Sequence, residues 1–544
     1  MIEIKLKAKK YLENVEKQKE SIYTFDFILR NEDRIPLIMY INKKRFPFEL
    51  PIIILDTSKQ KYVPNIPHIS SDGYICYLDK EGIVWSDDTE KVLDFIFERI
   101  ESIFFQNESI EGIHREFQYY ISEIPNKEYA YSYISESSEA RRVKLCIDNK
   151  SKRKFFFDSN DIKDEKIDKK QFINAIYIPF LETLDIYVPN KQKFWSAKEI
   201  SELVKRCVLR DNIELIRRLT KENNQSYYLL DIMLKGNQNV LIGLKYDNKS
   251  SKEIVPILDA DDDSNITPIY IERVDDKKAL VRGGAITNGD EFKILVIGCG
   301  SIGSDTIFQL TRSGFKNITI VDKDFLSQNN IYRHFLGKSR GEKNTSKVKL
   351  MKKELENRYD ELNIQAYDSN IFDMLEKEEI RLDEYSLVIS AIGDVNSERL
   401  LNKYIIKAKV PVIYTWVEAY GIAGHAVFIN KKGCYNCLFT EELMCKVNFA
   451  GKSDVPYVKN FGGCLGTYTP YGSMDSMQTA IMATKLAHNF LINHNYENRV
   501  FSWKGNIDNF LHDGYLVSDS FYNFNSALGE RDDVKLEGCV YCND

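Results

Sequence analysis

Hydrophobic spacing divides the chain into three stretches of different character. In the first, YTFDFILR, IPLIMYI and LPIIIL are short apolar or alternating runs bounded by turn residues, which predicts strands. The segment DDTEKVLDFIFERIESIFF repeats its apolar positions at helical spacing, and a Lys/Glu-rich helical pattern precedes the strands. The order helix, meander, helix predicts a compact α+β domain over residues 1–122. From 123 to 275, strand-like pieces (RKFFFD, FINAIYIPF, VLIGLKY) mix with a helical pair, SAKEISELVKRCV and NIELIRRLTKEN. An acidic, turn-rich stretch there, LDADDDSNITP, predicts a boundary or surface loop. This second stretch reads as an α+β linker or scaffold domain with no chemical constellation of its own. From 276 to 544 the apolar runs FKILVIG, NITIVD, SLVISAIG and VPVIYTWV are separated by helical segments, as buried parallel strands of a doubly wound, Rossmann-like α/β domain would be.

Bulk composition adds exclusions. A chain of 544 residues exceeds what one core organises, so several domains are expected. With 43% hydrophobic and 29% charged residues it is an ordinary globular composition. A formal net charge of -6 gives no reason to expect nucleic acid or anionic lipid as a partner, and the Lys-rich KLKAKK reads as a solvated face. No apolar run is long enough to span a bilayer, and MIEIKLKAKKYLENVEK lacks the apolar stretch of a signal peptide. The expected location is the cytoplasm. In that reducing compartment ten cysteines read as metal ligands, catalytic thiols and core fillers.

The first strand of the α/β stretch runs into GCGSIG, then into the helical segment SDTIFQLTRSG. Gly298, Gly300 and Gly303 let backbone approach a phosphate at a helix N-terminus, and Asp322, 24 positions beyond Gly298, suits ribose hydroxyls. This motif fits a dinucleotide or a mononucleotide equally. What separates them is the set that follows: Asp324, Asn330 and Arg333 in VDKDFLSQNNIYRH, Lys347 in NTSKVKL, and Asp394 at the end of SLVISAIGD. A hydride-transfer cofactor has no need of an Arg, a Lys and a further carboxylate beside it. Adenylate formation does, because cations stabilise charge on the α-phosphate and pyrophosphate while a carboxylate holds magnesium.

Two cysteine pairs, Cys434-x-x-Cys437 and Cys539-x-x-Cys542, have the spacing of a closed tetrahedral zinc site. Cys464 lies in a Gly-rich loop, GGCLGTYTPYG, ahead of a helical segment whose N-terminus would lower a thiol pKa. Cys445 is the reserve candidate for a nucleophile; Cys299 reads as packing in the Gly-rich turn, and Cys146 and Cys207 as core.

With these residues in place, the stretch from about 290 onward resembles the ubiquitin-activating enzyme family, in the ThiF-like branch that includes the bacterial adenylyltransferases of thiamine and molybdopterin biosynthesis. The resemblance implies that the Gly-rich turn, Asp322 and Asp324 hold ATP and that Asn330, Arg333 and Lys347 act on its phosphates, with Ser346 and Lys349 as alternatives to Lys347. It implies magnesium on Asp394, structural zinc, Cys464 as acyl-accepting thiol, and a homodimer. Residues 20–122 resemble a ubiquitin-conjugating enzyme: VPNIPHIS, then DGYIC with Cys76, then Trp85 nine residues on. There Cys76 is the expected final acyl carrier. His68, eight residues before it, stands where the eukaryotic proteins carry an oxyanion-stabilising Asn; it either supplies that function or shapes the loop, and Asn65 is a weaker substitute.

The chain as a whole is similar to bacterial fusions of conjugating, linker and activating domains found in antiphage systems. That implies ATP-dependent activation of a protein's C-terminal glycine carboxylate, relay from Cys464 to Cys76, and transfer to an amine. In CBASS relatives the passenger is a CD-NTase; in other operons it is a ubiquitin-like protein. The alternative is a sulfur-carrier adenylyltransferase with a non-catalytic N-terminal binding module; a nicotinamide-dependent dehydrogenase lacks any hydride-transfer constellation.

Overall fold

The structure, a computed structural model, describes residues 2–59, 63–78, 86–105, 116–148, 151–158, 172–184, 186–191, 193–221, 226–234, 238–247, 254–260, 264–274, 276–338, 345–359, 361–430, 432–453, 455–460, 467–531, 533–534, 536 and 539–542. It divides into two compact units, Met1–Asp275 and Asp276–Asp544. No helix among the described residues is long and apolar enough to cross a membrane.

The first unit opens with a four-stranded antiparallel sheet, Leu12–Lys19, Ile22–Ile28, Arg34–Tyr40 and Ile52–Leu55, in sequential order. Alternation places Ile35, Leu37 and Met39 on the buried face. Helix Thr89–Phe105 covers that face with Leu93, Ile96 and Ile100 at helical spacing. One sequence expectation fails here. The Lys/Glu-rich opening is helical only over Ile2–Lys7; LENVEKQK is the edge strand Leu12–Lys19, mostly exposed and interrupted by two register irregularities. Of the lysines in KLKAKK, Lys7 and Lys10 are exposed as expected, while Lys9 is not, its Nζ sitting 2.5 Å from Asp94 on the covering helix.

The stretch of the first unit that the sequence reads as a linker is a closed barrel of seven strands, in the order Gln238–Tyr246, Ile266–Arg273, Glu128–Ser132, Lys154–Asp158, Arg141–Ile147, Phe172–Leu184 and Tyr227–Leu234. Its lumen is filled by Val143, Leu145, Phe156, Leu229 and Ile269. Outside it, helices Ala197–Cys207 and Arg210–Lys221 pack Ile200, Val204 and Ile216 against the wall. The first of these helices starts at a capping box, in which Ser196 Oγ accepts the Glu199 N–H and Glu199 accepts the Ser196 N–H. Strand Tyr227–Leu234 is buried on both faces because one looks into the lumen and the other onto the helices. The acidic stretch does not mark a domain boundary: helix Pro256–Asp259 packs with the outer helices against the barrel wall and Ile266–Arg273 is a barrel strand, while residues 261–263 lie outside the described residues.

The second unit is built on an eight-stranded sheet ordered Asn363–Tyr367, Asn317–Val321, Lys293–Ile297, Leu387–Ser390, Val412–Val417, Ala423–Ile429, Arg499–Lys504 and Leu528–Glu530. The first five are parallel, as the apolar runs predict, and the last three are antiparallel additions. Successive residues of the central strand feed opposite cores: Ile294 and Val296 pack with helices Ser301–Arg312 and Ser473–Leu491, Leu295 and Ile297 with helix Val395–Ala408. Both faces are therefore covered, and loops at the C-terminal ends of the parallel strands converge where a doubly wound sheet binds ligands.

Candidate active sites

The first convergence is the Gly-rich turn. Gly298 has φ +93, and a Cβ there would lie 2.6 Å from the Ala391 oxygen. A Cβ on Gly303 would stand 1.9 Å from the Gly298 oxygen, so only glycine lets the helix seat on the turn. At Gly300 the opposite holds: among the described residues nothing lies within 4 Å of a would-be Cβ, and no side chain caps helix Ser301–Arg312. Open space over a helix N-terminus is the setting for phosphate. Gly303→Ala is expected to destabilise the unit by about 1–3 kcal/mol, as overpacking does, visible as a lower urea midpoint and weaker ATP binding.

Around this turn the structure places most of the sequence candidates. Asp322 accepts the Cys299 N–H at 2.6 Å on one oxygen and the Asp324 N–H at 2.7 Å on the other, so its carboxylate first fixes the turn. Lys347 Nζ, almost fully buried, lies 3.1 Å from Asp324, whereas Lys349 pairs with Asp368 and is exposed. Ser346 Oγ is buried without a hydrogen bond at the start of helix Lys347–Arg358. Arg333 donates to the Thr469 carbonyl at 3.2 Å and to Asn330 Oδ1 at 3.3 Å, and stacks 4.5 Å above the Tyr471 ring. The Tyr471 hydroxyl is 2.8 Å from Ser301 Oγ in the first helical turn. Asp394 caps helix Val395–Ala408 through Oδ1, which accepts the Ser397 N–H; among the described residues no hydrogen bond engages Oδ2. An exposed carboxylate beside a phosphate cradle fits magnesium, which takes one or two carboxylates and completes its shell with phosphate and water.

Four supporting residues carried no sequence signal. His334 Nδ1 accepts the Leu336 N–H at 3.2 Å, so Nε2 carries the proton and donates to the Cys299 carbonyl at 2.8 Å. Burial lowers its pKa to about 4, so the ring stays neutral and ties the Arg333 segment to the Gly-rich turn. Burial raises Glu398 to about 7, eased by the Ser390 hydroxyl at 2.6 Å. With Tyr471 and Trp416 it lines a cavity of about 370 Å³ that reaches Arg333 and Gly393. Cys445 also lines this cavity, but burial pushes its thiol up to about 11, so it is not poised as a nucleophile. Cys464 lies outside the described residues. Cys146, Cys207 and Cys299 are buried, as expected of core thiols.

The second site lies in the first unit. Cys76 is exposed on the loop that follows the Ile69–Ile75 bridge, and its N–H donates to the His68 carbonyl at 2.7 Å. His68 adopts φ +61, a left-handed conformation unusual outside glycine. Glu116 holds it twice, accepting the His68 N–H at 3.0 Å and meeting Nδ1 at 2.9 Å. Burial raises the Glu116 carboxyl, but the His68 hydrogen bonds and the nearby charges outweigh this and keep it below its ordinary range. Asn65, the weaker oxyanion candidate, accepts the Lys191 N–H on Oδ1 at 3.1 Å, an arrangement that engages its acceptor rather than its amide donor. Trp85 falls outside the described residues.

Residues 285–506 match the ThiF family and residues 5–129 match prokaryotic E2 family B. The chain joins a ThiF domain to a prokaryotic E2 domain. It is 24% identical over 474 residues to the ATP-dependent ubiquitin transferase-like protein Cap2 of Pseudomonas aeruginosa, covering 81% of this chain and 82% of that one. It is 28% identical over 145 residues to SUMO-activating enzyme subunit 2 of Dictyostelium discoideum, a match over 27% of this chain that spans only 22% of that relative's length. Among solved structures it is similar to Escherichia coli MccB with ATP, at 19% identity and TM-score 0.34, over 47% of this chain and 68% of that one. The ThiF domain accounts for the phosphate cradle and the E2 domain for the exposed Cys76.

Beyond the ThiF match, the chain returns Cys539 and Cys542 to Cys434 and Cys437. Neighbouring sulfurs are 3.4–3.5 Å apart, and all four lie within 4.8 Å of one another. Zinc–sulfur bonds of about 2.3 Å place tetrahedral sulfurs about 3.8 Å apart, so the cluster fits one zinc. Native mass spectrometry is expected to find one zinc per chain, and none when Cys437 and Cys542 are both changed to serine.

Proposed function

We propose that this protein activates the C-terminal glycine carboxylate of another protein and conjugates it to an amine, in antiphage defence and in the cytoplasm. The observation that carries this reading is the presence, in one chain, of an open phosphate cradle with a pre-oriented Arg333 and of an exposed cysteine on a held loop.

The Gly298–Gly303 turn and the first turn of helix Ser301–Arg312 bind ATP phosphates, while Arg333 and Lys347 face the charge that develops as the carboxylate oxygen attacks the α-phosphorus and pyrophosphate leaves. Asp394 holds magnesium, which when bound neutralises phosphate charge. The cavity beside Arg333 and Gly393 takes the glycine tail. Cys464 then attacks the acyl carbon: a C–S bond forms, the bond to AMP breaks, and AMP leaves. Cys76 attacks this thioester in turn and releases the Cys464 thiolate. Finally an amine nitrogen attacks, a C–N bond forms, the Cys76 thiolate leaves and the ammonium proton passes to solvent. His68, on the loop that holds Cys76, either donates to the developing oxyanion or shapes the loop. Joining both thiols in one chain raises their effective concentration without added affinity.

Zinc held by Cys434, Cys437, Cys539 and Cys542 fixes the last residues to the ThiF domain. Met474, Met477 and Ile481, exposed on one side of helix Ser473–Leu491, supply an apolar stripe for a second copy, supporting a homodimer. The activated protein is a CD-NTase or a ubiquitin-like protein. Incubating the Cys76→Lys variant with ATP and each candidate, then sequencing by mass spectrometry what is amide-linked to residue 76, tests the reading; no ATP-dependent attachment from any glycine-terminated protein would sink it.

A further inference from the structure

Lys191 belongs to the linker, yet only 2% of it is exposed and its ammonium points into the loop that leads to Cys76. Burying an ammonium costs several kcal/mol unless it is fully partnered. Lys191 Nζ donates to the Ile66 carbonyl at 2.6 Å and to the Ile69 carbonyl, and lies 4.2 Å from the Tyr120 ring centroid and 5.7 Å from that of Tyr119. Its own N–H donates to Asn65 Oδ1. These contacts bracket His68 from both sides. An ammonium is suited to this because its three donors radiate from one point and reach carbonyls three residues apart.

Glu116 completes the clasp. It stands at the start of helix Phe117–Glu123, whose Phe117 and Ile121 pack in the same core as the barrel's helices. At the far end of that helix Glu123 accepts both the N–H and the hydroxyl of Ser71, at 2.8 and 2.7 Å. The loop from 65 to 71 is thus gripped at five residues, Asn65, Ile66, His68, Ile69 and Ser71, by Lys191, Glu116 and Glu123, and the left-handed His68 at its centre would relax if the grip were lost. Because the His68 carbonyl accepts the Cys76 N–H, a shift of this loop reaches the nucleophile directly.

We infer that Lys191, acting through the carbonyls of Ile66 and Ile69, is a positioning residue for acyl transfer at Cys76 alongside Glu116, which acts through His68, so that the barrel side of the unit is a working part of the conjugating site. This rests on the acyl-carrier reading of Cys76.

The test bypasses ATP. A synthetic peptide ending in glycine, supplied as its mercaptoethanesulfonate thioester, loads Cys76 of the full chain by thioester exchange; intact mass follows loading and then discharge to free lysine, with Cys76→Ala as the control. Lys191→Met and Glu116→Gln are each expected to slow discharge at saturating lysine about tenfold, leaving the half-saturating lysine concentration within twofold. The double variant should also be about tenfold slower, because both changes release the same loop. Asn65→Ala carries the test if Lys191→Met fails to melt cooperatively. Discharge within twofold of the parent in the folded variants, or effects that multiply to about a hundredfold, would overturn the inference while leaving the acyl-carrier reading intact. A parent chain whose Cys76 takes no acyl group would overturn that reading, and the inference with it.

Discussion

Cys76→Ala is expected to eliminate conjugates to amines, a loss of at least about 10³-fold measured by intact mass and by blotting, while ATP–pyrophosphate exchange continues. The reasoning is that the last step needs a carbonyl activated as a thioester on an exposed sulfur, and alanine offers no nucleophile. Cys76 is the exposed cysteine among the described residues, and its loop is fixed by Ile75 pairing into the sheet and by the His68 carbonyl. An acyl group resting on Cys464 alone would have to meet the amine without this scaffold. Undiminished conjugation in Cys76→Ala would reduce the E2 domain to a binding module and favour the sulfur-carrier alternative.

Arg333→Ala and Asp394→Ala should each lower ATP–pyrophosphate exchange by about 10²–10³-fold, the loss typical of removing one pre-oriented stabiliser of transition-state charge. Arg333 is held by the Thr469 carbonyl, Asn330 and the Tyr471 face before any substrate arrives, so little reorganisation is needed when charge develops. Lysine at 333 is not expected to restore the rate, because a point charge on a flexible stem neither stacks on Tyr471 nor forks between two acceptors. Retained exchange in Asp394→Ala would remove that residue from the metal site.

Much of the ThiF domain was legible because its signals are local. The Gly-rich turn directly follows a strand, the two Cys-x-x-Cys pairs announce themselves by spacing, and four apolar runs became neighbouring parallel strands. Signals failed where pairing or distance decides. Glu and Lys favour helices, so LENVEKQK read as one until the adjacent strand was there to pair with it. Closure of the barrel leaves no mark, since a strand buried on both faces has the same apolar run whether its sheet is open or closed. Glu116 and Lys191 were invisible because their partners are 48 and 125 residues away along the chain. No spacing rule connects VPNKQKFW to the cysteine loop; only the packed fold does.

The outermost strand of the E2 sheet has a consequence for how the domain meets other chains. Any extended peptide segment that reaches an open sheet edge can zip onto its unpaired backbone. Leu12–Lys19 presents Glu13, Glu16, Lys17 and Lys19 along that rim, and its two register breaks spoil the regular comb of donors and acceptors that a foreign segment would need. An edge interrupted in this way resists lengthening the sheet with an extended segment of another chain, which guards the domain against aggregation at that border.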